Sequence, residues 1–456
     1  MQKCVVLNVV GLSQSVIGEH TPFLSEYIAK NRLNVIEPML PAVTTSVQST
    51  YLTGKWPSDH GIVGNGWYDR FYSEVLFWKQ SNKLVLSEKI WDAGKKINPE
   101  FTCANLFWWY NMNSTADYGA TPRPNYLADG RKMPDCYTSP PELRDKLQAE
   151  LGQFPLFKFW GPGADITSSK WIADSAIITD KTYNPTLSLI YLPHLDYCLQ
   201  KFGSDIDKYK TDLSEIDNEV KKLVEHFERK KAKVIILSEY GIAPVDKPIH
   251  INRILRTNGF LKVRIERGLE ILDTGTSAAF AVSDHQVTHI YINQPEVKDE
   301  VLDVLKQIPG IKLILNKDGQ RKNHIAHQRA GDFVCVANND YWFTYYYWLD
   351  DKKAPDFARS VDIFKKPGYD PAELFMTSKM KAAYKLLRKK VGLRYVMDVI
   401  PLDASLIKGS HGNISADRIY HPVIIVAGDT PAEDLKPTDV YNVILSTIFP
   451  DLKQQN

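Results

Sequence analysis

Three short apolar runs in this chain lead to one set of candidate positions, and two of them end in residues that could do chemistry. Residues 5–10 lead into Gly11-Leu12, residues 187–192 into His194-Leu195-Asp196, and residues 234–237 into Ser238-Glu239-Tyr240. Two further candidates lie elsewhere: Thr44, inside the Thr/Ser-rich stretch 41–54, and His411, between Ser410 and Gly412. Carboxylates and imidazoles are ligands for divalent ions, and a hydroxyl beside such an ion can become a nucleophile. Each residue also has an ordinary use. A Thr in a Thr/Ser-rich turn is commonly a helix cap or turn residue. An Asp after an apolar run can cap a helix, a Glu there can face solvent, and a His beside Gly can sit in a solvated loop.

The elements that must position these residues follow from the runs themselves. The runs are continuous rather than alternating, which suits strands covered on both faces in a parallel α/β sheet. Between the second and third runs, residues 204–230 carry Ile206, Tyr209, Leu213, Ile216, Val220, Leu223 and Phe227. Those spacings predict an amphipathic crossover helix with Ser204 as its cap, hence a strand–helix–strand unit. Ligands bind beyond the C-terminal ends of strands in such sheets. Residues 11–12, 194–196 and 238–240 should therefore converge on one crevice, with Thr44 joining them on a loop-to-helix turn. If His194 and Asp196 shared a strand end, their side chains would share a face. His194 would then be a candidate substitute ligand. Asn8 shares a face with Val10 by the same rule, but sits one pleat deeper.

The segment Pro41-Ala-Val-Thr44-Thr-Ser-Val-Gln-Ser-Thr-Tyr-Leu-Thr53-Gly54, followed by Trp56-Pro57-Ser-Asp-His60-Gly61-Ile-Val-Gly-Asn65, resembles a known pattern. It is similar to the nucleophile segment of the type I phosphodiesterase/nucleotide pyrophosphatase family of the alkaline phosphatase superfamily. The resemblance continues through Ala330-Gly331-Asp332 to Ile424-Ile425. It implies a three-layer α/β sandwich with a mostly parallel central sheet. We expect a single domain over 1–456, with cap insertions at about 95–175 and about 320–400. It implies a phosphoric-ester hydrolase or phosphotransferase in which Thr44 attacks phosphorus. Two divalent ions, roughly 4 Å apart, clamp the attacking and leaving oxygens in such sites.

Carried over position by position, the resemblance assigns one metal site to Asp196, Gln200 and His411. The other falls to Thr44, Glu239 and Tyr240. Several positions depart from the family pattern. Val10 stands where the family has Asp, Val47 and Gln48 where it has Asn and His, and Gln200 and Tyr240 where it has His. A neutral Gln oxygen is a weak zinc ligand and a phenol a rare one. Weakened zinc binding is therefore expected, or a harder ion held through Asp196, Glu239 and substrate oxygens. The alternative is a catalytically inactive homologue that binds a metabolite or partner protein in the same crevice. A sulfate ester or phosphonate substrate is a third option that no residue specifically supports.

Composition narrows the partners. The chain has 456 residues, 44% hydrophobic and 24% charged, enough for a large core. Its formal net charge of +2 gives no basis for binding a nucleic acid polymer; the resemblance implies a small-molecule phosphoester as the partner. No apolar run approaches the ~20 residues of a membrane span. No leader pattern precedes the first strand-like run. Five scattered cysteines without a C-x-x-C pair argue against a disulfide framework or zinc ribbon, and a cytoplasmic location is expected. The aromatic runs 107–110 and 341–348 read first as core, and Lys379–Lys390 as the solvated face of a helix. His60 should hold its turn, and His250, His285 and His289 should be structural. Arg123 and Arg131 could meet phosphate, with nothing to fix their positions.

Overall fold

Every residue of β1 (Cys4–Val9) is buried, as a strand covered on both faces must be. The computed structural model, which describes residues 1–414, 416–428 and 433–451, places this strand inside an eight-stranded sheet. The other strands are β2 (Asn34–Val35), β3 (Cys103–Leu106), β4 (Tyr118–Pro122), β5 (Cys136–Ser139), β6 (Leu187–Leu192), β7 (Lys233–Leu237) and β8 (Val423–Val426). Their order is β2-β8-β7-β1-β6-β3-β4-β5. From β7 across to β4 all pairings are parallel; β8, β2 and β5 add antiparallel edges.

Helices form the outer layers. Helix α1 (Thr44–Thr53) packs with Asp439–Ile448, which also meets β1. After β6 come α2 (His194–Phe202) and the long crossover helix α3 (Lys210–Arg229). Helix α3 packs with Pro22–Asn31 and Ile166–Tyr183. The result is the expected three-layer α/β sandwich with a mostly parallel centre.

The crossover helix buries Leu213, Ile216, Val220, Leu223 and Phe227, as its periodicity requires. It begins at Lys210, however, and Ser204 does not cap it. Helix α2 ends at Gly203, with φ 58°, and a short 3-10 turn at Ile206–Lys208 intervenes. The chain must turn there because the main chain of Lys408 lies against it. A Cβ on Gly203 would come within 2.4 Å of the Lys408 carbonyl oxygen.

Between β7 and β8 the chain makes a long excursion, closed at its neck by a two-residue antiparallel ladder of Ala243–Pro244 with Gly409–Ser410. Beyond the neck stands a four-stranded antiparallel sheet in the order Ala279–Asp284, Val287–Ile292, Phe333–Ala337, Ile311–Leu315. It has its own core, to which the aromatic run contributes Tyr345, Tyr346, Tyr347 and Trp348. The segment at about 95–175, expected as an inserted cap, supplies β3, β4 and β5 to the main sheet and Ile166–Tyr183 to its flank. The segment at about 320–400 runs from the small sheet through the aromatic core to Lys379–Lys390, whose Met380, Tyr384 and Leu387 are exposed. Among the described residues, no helix is long and apolar enough to cross a membrane.

Gly203 tests how firmly α2 is pinned to the neck. Gly203→Ala adds left-handed strain and a backbone clash, and should cost about 1–3 kcal/mol. The urea midpoint should fall with an unchanged slope. An unchanged midpoint would show that α2 and the neck are not in the described contact.

Candidate functional site

The three central strands end flush. Val9 pairs with Leu192, and Asn8 with both Tyr191 and Leu237. The chain beyond each strand therefore emerges at the same rim. Gly11 has φ +80°, and a Cβ there would lie 3.0 Å from Leu199 Cδ1 and 3.5 Å from Leu195 Cβ. Glycine lets α2 press against this rim, which brings in Asp196 from its first turn. Thr44 is the first residue of α1, a helix buried along its whole length and ended by Gly54 in the left-handed conformation. His411 arrives directly from the neck of the excursion.

These residues meet. The Thr44 hydroxyl is hydrogen-bonded to the Tyr240 hydroxyl at 2.9 Å. The His411 ring stacks on Tyr240, with centroids 3.5 Å apart and planes at 8°. His411 Nδ1 donates to the Ala42 carbonyl at 2.7 Å, so its Nε2 carries the lone pair. That Nε2 lies 3.9 Å from Asp196 Oδ1. The other Asp196 oxygen accepts from Gln200 at 2.9 Å, and Gln200 Oε1 accepts from the Tyr369 hydroxyl at 2.8 Å. Glu239 Oε1 accepts from Asn8 Nδ2 at 2.6 Å and also from Gln48 Nε2. The Gln48 carbonyl in turn accepts from the backbone N–H of Trp109.

Burial dominates the electrostatics. It raises the Asp196 carboxyl to about 7 and Glu239 to about 8, against the smaller opposing effect of their amide hydrogen bonds. It lowers the His411 imidazole to about 3 and raises the Tyr240 phenol well above its usual value. Among the described residues, no Lys or Arg forms an ion pair with either acid or is a leading influence on it. Among the described residues, the buried atoms at this rim without a hydrogen-bond partner include Asp196 Oδ1, Glu239 Oε2, His411 Nε2 and Asn8 Oδ1. Tyr240 lies near the first acid and Thr44 near the second, without a well-directed bond to either free oxygen.

Whether these residues fit divalent ions follows from that list. Asp196 Oδ1 and His411 Nε2 suit one ion, since both are unpartnered and metal–ligand bonds of about 2 Å span their separation. The expected third ligand, Gln200, has its oxygen engaged by Tyr369. The second expected ion finds less. Val10 offers no donor, one Glu239 oxygen is held by two amides, and Tyr240 is engaged by Thr44. Among the described residues, three His, Cys or carboxylate donors come together only at His194, Asp212 and Glu215. Among the described residues, the rim thus offers two free donors that would fit one ion beside a hydroxyl, and no comparable set for a second.

The other candidate residues fall in several places. His194 and Asp196 lie on the first turn of α2, not on a strand end, and His194 turns toward Asp212 instead of substituting at the rim. Asn8, poorly placed as a ligand, reaches Glu239 as a hydrogen-bond donor. His285, expected to be structural, stacks on both His411 and Tyr369 at 3.6 and 3.7 Å. His60 bonds Thr50 and the Ile62 N–H, His289 bonds Val63 and Gly331, and His250 bonds Thr344, so these three hold structure. Arg123 contacts Gln80 and Arg131 pairs with Asp129. Gln48 enters the sequence reading only as a departure from the family's His, while Tyr369 and the Asp284 that anchors Asn65 are not singled out there at all. Gln48 also lies one helical turn after Thr44, which places the two on one face of α1.

The raised carboxyls have a consequence for stability. Without bound metal, the folded chain holds protons on Glu239 and Asp196 above their ordinary values of 4.5 and 3.8. An acid raised in the folded state costs nothing at low pH and destabilises as pH rises toward its folded value. Chelated protein should therefore lose stability from about pH 4 to about pH 8, the window those values bound. Glu239→Gln should flatten that loss in urea melts across the same range. Parallel pH profiles for variant and wild type would show that Glu239 ionises normally.

Known proteins share this architecture. The pattern of the type I phosphodiesterase/nucleotide pyrophosphatase family matches residues 4–370. An uncharacterized pyrophosphatase/phosphodiesterase of Schizosaccharomyces pombe is 26% identical over 242 residues, 51% of this chain and 40% of its own length. An ectonucleotide pyrophosphatase/phosphodiesterase of Caenorhabditis elegans is 21% identical over 381 residues, 80% of this chain and 41% of its own. The chain thus spans about two fifths of the length of these curated relatives. Phosphonoacetate hydrolase from Sinorhizobium meliloti, solved with phosphonoformate, superposes with a TM-score of 0.61 at 14% identity, covering 98% of this chain and 96% of that one. An inactive form of murine ectonucleotide pyrophosphatase/phosphodiesterase 5 in complex with AMP gives 0.60 at 15% identity, covering 98% and 95%. The extended family match, carried by a sandwich whose rim gathers Thr44, Asp196, Glu239 and His411, makes this chain a member of the type I phosphodiesterase/nucleotide pyrophosphatase family.

Proposed function

We propose that this chain cleaves small phosphoric esters by attack of Thr44 on phosphorus. Members of its family act on small phosphoesters and typically depend on divalent metal. One observation carries the reading. Thr44 sits at the start of a buried helix, beside two unpartnered donors, Asp196 Oδ1 and His411 Nε2, that face each other at 3.9 Å. The positive end of α1 favours both an anionic substrate and developing charge on the Thr44 oxygen. Glu239 lies against Thr44 with one free oxygen and a carboxyl raised to about 8, which suits a general base near neutral pH. The Thr44 proton passes to Glu239 Oε2 as its oxygen bonds phosphorus and the bond to the leaving group breaks. Water then hydrolyses the phosphoryl-threonine ester. A divalent ion held by Asp196 and His411 would neutralise charge on the phosphoryl oxygens. Tyr240 and Gln200 position Thr44 and Asp196 respectively. A cytoplasmic location belongs to the same proposal, supported by five buried cysteines, none in a disulfide.

A second reading has its own observation. The Asn8 and Gln48 amides bind Glu239 where a second cation would otherwise compensate it. That arrangement suits a crevice that binds a phosphorylated metabolite or partner without turnover.

Bis-p-nitrophenyl phosphate with added Mn2+ or Zn2+ separates the two. Turnover is expected, and Thr44→Ala should reduce it by about a thousandfold or more. A Thr44→Ala protein as active as wild type would remove the nucleophile. Under the second reading no ester turns over, while a nucleoside monophosphate raises the melting temperature of wild type and Thr44→Ala alike.

A further inference from the structure

On the far side of α2 from Asp196, a buried imidazole points at two carboxylates. His194, the first residue of α2, is 1% exposed. Asp212 and Glu215 lie three residues apart in the first turns of α3, so they present side by side. His194 Nε2 is 3.0 Å from Asp212 Oδ1 and 3.9 Å from Glu215 Oε2, and the three donor atoms lie within 4.8 Å of one another. Despite that proximity, neither ring nitrogen of His194 has a hydrogen-bond partner. The Asp212 oxygen is near enough but does not lie where a ring N–H would point.

That combination is unsatisfying for an ordinary ion pair and fitting for a ligand set. A buried imidazole left unbonded costs free energy that a directed partner would recover. An ion about 2 Å from Nε2, along the direction of its lone pair, could reach both carboxylates with modest side-chain rotation. Asp212 and Glu215 side chains are 29% and 36% exposed, so the carboxylate side opens to solvent and leaves room for water ligands. One imidazole with two carboxylates suits a borderline ion such as zinc or manganese.

We propose that His194, Asp212 and Glu215 bind a divalent transition-metal ion at a site separate from the Asp196–His411 pair. The ion ties the first turn of α2 to the crossover helix. Asp196 follows His194 by two residues on that same turn, so the site is a positioning device for the rim.

Zinc titration of the chelator-stripped full chain tests this, read by calorimetry and by thermal melting. Asp212→Asn with Glu215→Gln changes only partly exposed side chains of similar shape. The double variant should lose one bound ion per chain, with affinity at that site down about 100-fold or more. It should also lose the corresponding zinc-induced rise in melting temperature. His411→Asn should keep both. Cobalt in place of zinc should give a visible absorption band in His411→Asn that is missing in the double variant. The proposal is overturned if the double variant binds as many ions as wild type with equal affinity, or if His411→Asn binds none. Failure of the rim ion alone looks different: wild type then binds one ion, and the double variant binds none.

Discussion

Two buried carboxyl groups at the rim of a mostly parallel sheet, with no Lys or Arg ion-paired to either among the described residues, set the terms for the rest of this structure. Ionised carboxylates taken out of water must be paired, bound to metal or protonated. Here the surroundings supply neutral partners. Asn8 and Gln48 cover one oxygen of Glu239, and Gln200 covers one of Asp196. Each acid keeps one oxygen free, and His411 keeps a free nitrogen. Those free atoms are the capacity of this rim for an incoming cation or proton.

The rim is assembled from both halves of the chain. The central sheet contributes Asn8 and Tyr191 near the flush ends of its strands and Glu239 just beyond one of them, and α2, which follows β6, contributes Asp196. The excursion contributes His285, Tyr369 and, at its neck, His411. Tyr369 closes the chain of contacts by bonding Gln200. Near it, a buried Lys366 pairs with Asp370 and Glu373 at 2.6 and 2.7 Å, and Glu373 also accepts from Trp160. The excursion is therefore fastened to the main body next to the site, and movement of either part would change the stacking on His411.

Much of this was legible in the sequence because the runs at 5–10, 187–192 and 234–237 are short, continuous and apolar, which fixes both sheet type and the rim where ligands collect. Thr44, Asp196, Glu239 and His411 could be assigned together only through a family pattern, since each taken singly reads as a cap or loop residue. What stayed hidden depends on long-range packing. Nothing in the local sequence of Tyr369 or His285 reveals that it stacks beside His411. The aromatic run at 107–110 gave no sign that the Trp109 backbone would hold Gln48. The boundary of α3 was missed because Gly203 turns against Lys408, two hundred residues away in the chain. Segment 95–175 looked irregular because its strands β3 to β5 are short and separated by loops, although they belong to the main sheet.

The most direct measurement is anomalous scattering at the zinc edge from crystals of zinc-loaded protein. A peak is expected between Asp196 Oδ1 and His411 Nε2, beside the Thr44 hydroxyl. Zinc-loaded crystals with no density at that place, and with Asp196 and His411 turned away from each other, would contradict the account of this rim as an ion-assisted site.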